Sequence, residues 1–340
     1  MCIVNENNLI ESLVKIFPRS PIQINKLQES DAELISLNNE TILALTTDSI
    51  CEEIELGLYD DPFMIGWMTV TANISDLAAV GAAPIGMLLN QTLTQKTNSE
   101  FISELQRGIN EACITYKTHV LGGDTNYSSR LQMSATAIGI LNKVKPIMRS
   151  GCKSGDLLYA SGKLGNGNAY AFTKFSGINS QFQPMARIDV AQLLLKYATC
   201  CMDTSDGLFG TVDQLMRVNN LGFSILLPIE DYLADESKSV CSFQNIPNWF
   251  LLAGPHGEYE LVFTISPEGE NLFLQETKAA NWVPIKLGEV TTETEIKFLH
   301  NDKIKTIDSG TIRNLFSESD HSLSFYLNEL MKIENKWSTQ

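Results

Sequence analysis

Two hydrophobic periods alternate along this chain, and that alternation constrains its fold more than any other feature. Apolar side chains recur at three- and four-residue intervals over 6–17, Ile65–Val80, 99–116, 184–198 and 208–219, which predicts helices. Pro18 and Pro21 close the first of these, and Gly81 followed by Pro84 stops the second. Between them lie short β-prone runs: Thr41–Thr47 ending at Asp48, His119–Leu121 leading into Gly122-Gly123-Asp124, Leu157–Ala160 and Leu261–Ile265. Leu131–Ile140 sets Leu131, Met133, Ala135 and Ala137 against Gln132, Ser134 and Thr136, as a half-buried strand must. Strand and helix alternating in both halves predicts a mixed α/β or α+β architecture. A chain of 340 residues has room for about two domains. The basic stretch 142–155, with one proline and two glycines, reads as the join, so the expected domains are 1–146 and 147–340.

Charge narrows the function classes. Lys and Arg number 25 against 40 Asp and Glu, a net charge of −15. A sequence-independent nucleic-acid binder needs a basic face, and an anionic membrane surface makes the same demand. An excess of carboxylate suits divalent cations, although an acidic solvated surface has the same composition. The apolar run Leu77–Leu89 is too short to span a bilayer and carries Gly81, Pro84 and Gly86. The opening MCIVNENNLI has no basic stretch of the secretory kind. Seven cysteines without a CxxC spacing argue against both a disulfide framework and a zinc site. The expectation is a reduced, cytoplasmic, globular protein.

Four aspartates share one context: Asp48 in TTDS, Asp76 in NISD, Asp124 in GGDT and Asp206 in DTSDG. Each sits at the end of an apolar element beside Ser, Thr or Gly. Taken singly, each is most simply a cap or turn residue. Together they also match the hard oxygen ligands that Mg²⁺ bridged to phosphate requires. The turn Ser161–Gly167 is glycine-rich but is neither a Walker A motif nor GxGxxG, so a strand-to-helix turn is the better reading. Ser205 or Asp206 is a candidate N-cap, at a helix start that also favours anions. The four histidines show no HxxxH spacing, no GxSxG occurs, and His256 in AGPHGEYEL reads as a surface-loop residue. Trp249 and Trp282 are expected as core or surface aromatics rather than ligand-stacking residues.

The blocks TTDS, IGWMTVTANISDLAAVGAAP, LGGDT, RSGCKSGD, MDTSDGL, GEYELVFT and KLGEV occur in the order and spacing of thiamine-monophosphate kinase. Over about residues 27–290 the chain resembles that family. It is thereby similar to the wider superfamily of aminoimidazole-ribonucleotide synthetase (PurM-like), selenophosphate synthetase and a hydrogenase maturation protein. The resemblance implies an N-terminal α/β domain that pairs across a homodimer and a C-terminal α+β domain. It implies ATP as substrate, with its phosphates held by Mg²⁺ on aspartates. Carried over motif by motif, the metal ligands would be Asp31, Asp48, Asp76, Asp124, Asp203 and Asp206, with Thr47 assisting. Gly123, Arg149 and Ser205 would meet the nucleotide, and Glu55 and Glu258 would lie on the side of a small phosphate acceptor. The implied reaction transfers the γ-phosphoryl group directly, so no protein nucleophile is expected.

Three departures fall in this pattern. Glu29-Ser30-Asp31 stands where the family has Gly-Asp-Asp, Glu55 where it has histidine, and Gly254–Leu261 carries an insertion with Glu258 in place of Asp. The metal half of the motif set is mostly kept and the acceptor half is altered. The alternatives are a superfamily sibling that uses ATP on another small substrate, or a non-catalytic nucleotide-binding homologue. The chain lacks the C-terminal cysteine of the hydrogenase-maturation branch.

Overall fold

The computed structural model describes residues 6–95, 97–178, 181–319 and 321–338. The first half builds a five-stranded sheet from β1 (Glu33–Ser36), β2 (Thr41–Ser49), β3 (Ala83–Thr94), β4 (Val120–Ser128) and β5 (Gln132–Asn142). Their order is β1-β2-β5-β3-β4, antiparallel except for the parallel β3–β4 pair. Four helices belong to this half: α1 (Glu6–Val14), α2 (Cys51–Glu55), α3 (Pro62–Ala79) and α4 (Ser99–Tyr116).

Helix α3 decides the architecture. Asp61 caps it by accepting from the Met64 N–H at 3.2 Å, and Pro62 supplies a preset first-turn φ. Its sequence PFMIGWMTVTANISDLAA is apolar on all sides, so it is buried all round, between the sheet, α4 and a helix from the second half. It crosses α4 where Gly66 faces Gly108: a Cβ on Gly66 would stand 2.2 Å from the Leu105 carbonyl oxygen, and one on Gly108 2.0 Å from that of Phe63. Only paired glycines let the two backbones approach that closely. The opposite face of the sheet carries Leu43, Leu45, Ile138 and Ile140, all half-buried.

The second half builds a seven-stranded sheet from β6 (Leu157–Ala160), β7 (Ala198–Asp203), β8 (Gly222–Ile225), β9 (Leu261–Ile265), β10 (Ile285–Thr291), β11 (Ile296–His300) and β12 (Lys303–Ile307), ordered β12-β11-β8-β10-β6-β9-β7. Its helices are α5 (Asn166–Phe175), α6 (Ile188–Tyr197), α7 (Gly207–Asn219), α8 (Ile229–Tyr232), α9 (Asp235–Gln244), α10 (Phe250–Ala253), α11 (Glu270–Ala279), α12 (Ser309–Glu318) and α13 (Leu323–Ser338). One face packs Leu208, Phe209, Val212, Trp249, Phe250 and Phe298 beneath α12 and α13. The other packs Val190, Leu194, Phe263, Phe273 and Trp282 against Ala78 and Ala79 of α3, tying the two halves together. Trp249 and Trp282 are thus core residues.

The five helices and five strands expected from periodicity lie close to where it puts them, with three differences, while others such as β1, β3, β8 and α9 carry no such signal. The first helix ends at Val14, and the one expected over 184–198 starts at Ile188 and gives way to β7 at Ala198. The third difference bears on the site. The strand before Gly122-Gly123-Asp124 does not stop there but runs on to Ser128, because parallel pairing with Leu88–Thr94 continues through the glycines.

Candidate active site

Strand alternation and chain reversals bring four carboxylates to one place. Asp48 pairs directly with Ala135 on β5, which points it toward α3, where its N–H donates to Asn73 Oδ1 at 3.2 Å. Asp76 lies in the last turn of α3, Asp203 at the end of β7, and Asp31 just before β1. One carboxylate oxygen from each of Asp31, Asp76 and Asp203 falls within 4.8 Å of the others. Asp48 stands close enough to Asp76 for the two carboxylates to act on each other's charge.

The hydroxyls around this cluster all donate inward. Ser75 donates to Asp203 Oδ2 at 2.6 Å, Ser205 to Asp203 Oδ1 at 2.8 Å, and Thr46 to Asp76 Oδ2. Arg149 supplies the fixed positive charge, with Nη2 and Nε at 2.7 and 3.1 Å from Asp31 Oδ1. Asp31 Oδ2 is buried and accepts no hydrogen bond. Burial first, and mutual repulsion second, push Asp76 well above the carboxylate range and Asp203 up to about 7. Burial likewise raises Asp31 and Asp48. Carboxylates crowded this closely out of water, with a single arginine among them, are stable as anions only when a further cation joins them.

The other residues singled out by sequence separate into two groups. Asp206 stands at the mouth of the cluster, half-exposed, and Arg313 of α12 donates to its Oδ2 at 3.2 Å. Asp206 occupies the N-cap position of α7 without a capping side-chain bond, and Ser205 serves Asp203 instead. Thr47 is on the wrong face for the cluster. Alternation turns it to the opposite side of the sheet, where its hydroxyl meets the Ala135 carbonyl at 3.0 Å. Its neighbour Thr46 takes the inward position, a parity that the two-residue period of TTDS already contains. Asp124 shares Thr47's face, in register with Asn90, Ser134 and Ser49. It is exposed, bonded to Asn126 Nδ2 at 2.7 Å, and three strands from β2, roughly 14 Å by strand spacing. Gly123 is required by the sheet itself, since a Cβ there would stand 1.9 Å from the Leu89 carbonyl oxygen.

Beside the cluster, behind Asp206, opens a cavity of about 220 Å³. Its walls include Phe172 and Phe175 of α5 and Phe316, Leu323 and Tyr326 of α12 and α13; Glu52, Glu53, Asp206 and His256 also line it. His256 is therefore no surface residue. It is buried against Tyr59, Tyr170 and Phe182, with Nε2 3.2 Å from the Tyr59 hydroxyl, and burial lowers its pKa to about 4.

The two expected acceptor-side carboxylates lie elsewhere. Glu55 is exposed on the outer side of α2 and paired with Arg130 Nη1 at 2.6 Å. Glu258 is buried beneath the glycine-rich turn, accepting from the Gly165 N–H at 2.7 Å and the Thr204 hydroxyl at 2.8 Å. Neither lines the cavity. Glu52, Glu53, His256, Thr46 and Arg313 emerge only from the fold.

The chain is similar to known proteins in both sequence and fold. Residues 29–141 match the family described as AIR synthase related protein, N-terminal domain. The thiamine-monophosphate kinase of Buchnera aphidicola subsp. Acyrthosiphon pisum is 32% identical over 277 residues, covering 75% of this chain and 82% of that protein. The thiamine-monophosphate kinase of Aquifex aeolicus is 30% identical over 251 residues, covering 69% and 80%. Among solved structures, AaThiL complexed with AMPPCP and TMP superposes with a TM-score of 0.74 at 24% identity, over 88% of this chain and 94% of that one. The hydrogenase maturation protein HypE superposes with a TM-score of 0.68 at 17% identity, over 85% and 94%. The structural likenesses establish a shared PurM-like fold.

Proposed function

The chain belongs to the thiamine-monophosphate kinase family, and we propose that it transfers the γ-phosphoryl group of ATP to the phosphate of thiamine monophosphate. An acceptor phosphate oxygen forms the new bond to the γ-phosphorus, the bond from that phosphorus to the β,γ-bridging oxygen breaks, and ADP leaves. The observation that carries this reading is the junction at Asp206. On one side lies a carboxylate cluster suited to cations and polyphosphate, and on the other a largely apolar cavity suited to an organic acceptor. The relatives named for this activity support it.

The donor set fits Mg²⁺: hard carboxylate oxygens, three of them within 4.8 Å of one another, and an Asp31 oxygen with no hydrogen bond of its own. Asp31, Asp48, Asp76 and Asp203 would hold the ions, with Asp206 at the rim. Bound there, Mg²⁺ supplies charge neutralisation for the triphosphate. Arg149, fixed by Asp31, presents a guanidinium to the same phosphates. Ser75, Ser205 and Thr46 orient the carboxylates, and Gly123 and Ser205 are the expected nucleotide contacts. Positioning of the two phosphates is then the protein's main contribution.

Two further parts of the proposal concern assembly and setting. The units are 1–146 and 147–340, and two copies pair through the uncovered face of the five-stranded sheet. All nine residues of the edge strand β4 are exposed, and Leu43, Leu45, Ile138 and Ile140 present an apolar face. Asp124 and Thr47 lie on that face, so pairing would direct them toward the second copy. Light scattering should give about 75 kDa, twice the 37.7 kDa of the chain, and Ile138→Glu should give the single-chain mass. A wild-type mass of one chain would sink the pairing. No helix among the described residues is long and apolar enough to cross a membrane, and the described cysteines are all free, in keeping with a reduced cytoplasm.

The deciding experiment incubates the purified protein with ATP, Mg²⁺ and thiamine monophosphate and measures ADP and thiamine diphosphate. Equal amounts of both products are expected, with neither formed in EDTA. Mg²⁺-dependent ATP binding without thiamine diphosphate would overturn the acceptor and leave the nucleotide half standing.

A further inference from the structure

We propose that Glu53 selects the acceptor by its positive charge, making the inner cavity a receptor for a flat cationic ring. The inference rests on the phosphotransferase reading above and adds to it the residue that reads the acceptor.

The cavity's charges point one way. Three carboxylates line it, from Glu52, Glu53 and Asp206, and no lysine or arginine does. His256 is kept neutral by burial. Glu52 and Asp206 have partners already, His321 at 3.2 Å and Arg313 at 3.2 Å. Glu53 has no charged partner: its carboxylate meets only its own backbone N–H, its Oε2 is buried and accepts no hydrogen bond, and among the described residues it enters no ion pair. Burial pushes its pKa up to about 7.

A buried carboxylate with so little compensation costs stability, more than its place in the first turn of the five-residue helix α2 returns. A cation entering from the cavity would relieve that cost. The aromatic walls Phe172, Phe175, Phe316 and Tyr326 offer ring faces to a delocalised positive charge. A free phosphate would be repelled by the same lining. The cavity therefore sorts a zwitterionic acceptor by its charges: the phosphate stays at Asp206 with the cations, and the cationic ring next to it goes inward. The thiazolium ring of thiamine monophosphate has that charge.

The test compares thiamine monophosphate with an isosteric monophosphate whose thiazolium is replaced by a neutral thiophene. Wild-type kcat/KM should favour the cationic acceptor by about twentyfold or more, and Glu53→Gln should cut that preference at least about tenfold through the acceptor KM. The KM for ATP should stay within about twofold, since Glu53 is not among the carboxylates that gather to hold the ions. Glu53→Asp, which keeps the charge, should retain most of the preference. An undiminished preference in Glu53→Gln, or equal losses on both acceptors, would overturn the proposal.

If the wild type does not turn over thiamine monophosphate, the kinase reading fails separately. Calorimetric binding of thiamine against its neutral thiophene isostere then decides the matter. A cation preference that disappears in Glu53→Gln upholds the role of Glu53, and no preference in the wild type refutes it.

Discussion

Asp76→Asn gives a folded protein that no longer binds Mg²⁺ and nucleotide together, and whose metal-free form is more stable at pH 8 than the parent. Asp76 is buried beside Asp48, Asp203 and Asp31, and each of those anions adds to the desolvation that already opposes its charge. Asparagine keeps the oxygen that Thr46 donates to and removes one negative charge from the cluster. Repulsion therefore falls, and so does the attraction for a cation. For the parent, a nucleotide analogue with Mg²⁺ at a hundred times its Kd should stabilise the native state by about 2.7 kcal/mol. The variant should show no such shift, and its turnover should fall by about 10²–10³-fold or more. Thermal melts with and without Mg²⁺ and a non-hydrolysable ATP analogue check both halves. A retained Mg²⁺-dependent shift, or a metal-free Tm below the parent's, would show that these carboxylates are not a cation site.

Acidification should expose His256 as a second large effect. Its pKa is lowered by burial from 6.5 to about 4. The unfolded chain therefore takes up the proton first, and the stability that His256 contributes is complete above pH 6.5. It is lost as pH falls from 6.5 toward 4, by roughly 3 kcal/mol in all. Glu53 and Glu258 act with the opposite sign, because burial raises both from 4.5 to about 7. Ionising them costs stability as pH rises through that window. Two glutamates outweigh one histidine over most of that window, so these three groups together make the metal-free protein most stable near about pH 4 and progressively less stable toward about pH 7. His256→Phe fills the aromatic box but removes the titration, at the cost of the hydrogen bond with Tyr59. Its melting curves should lack the part of the acid-side slope that His256 causes in the parent. Identical slopes below pH 6.5 would mean that His256 is protonated in the native state.

Much of the site was legible in the sequence as residue types and less of it as places. Asp31, Asp48, Asp76 and Asp203, with Arg149, were identifiable from short motifs, and they converge. Thr47 and Thr46 were distinguishable in principle, since a strand whose Asp48 faces inward must turn Thr46 inward as well. His256 was misread because a Gly-Pro-His-Gly turn looks exposed locally. Its burial comes from Tyr59, Tyr170 and Phe182, more than seventy residues away along the chain. Glu55 and Glu258 were placed by motif position, yet α2 turns Glu55 outward to Arg130 while Glu258 anchors the turn at Gly165.

By itself the sequence determined the alternation of strand and helix, the helical pattern of α3, and the supply of acidic groups at element ends. Those depend on side-chain spacing, on turn chemistry and on neighbours within a few residues. Tertiary structure alone decided that Arg149 meets Asp31 across 118 positions, that Arg313 meets Asp206 across 107, and that Glu53 faces an aromatic cavity. The reason is physical. Hydrogen bonding within helices and strands acts over a few residues, whereas the charge state of a carboxylate is set by the water it loses and the charges it gains. Both of those depend on distant parts of the chain brought together by the packed core.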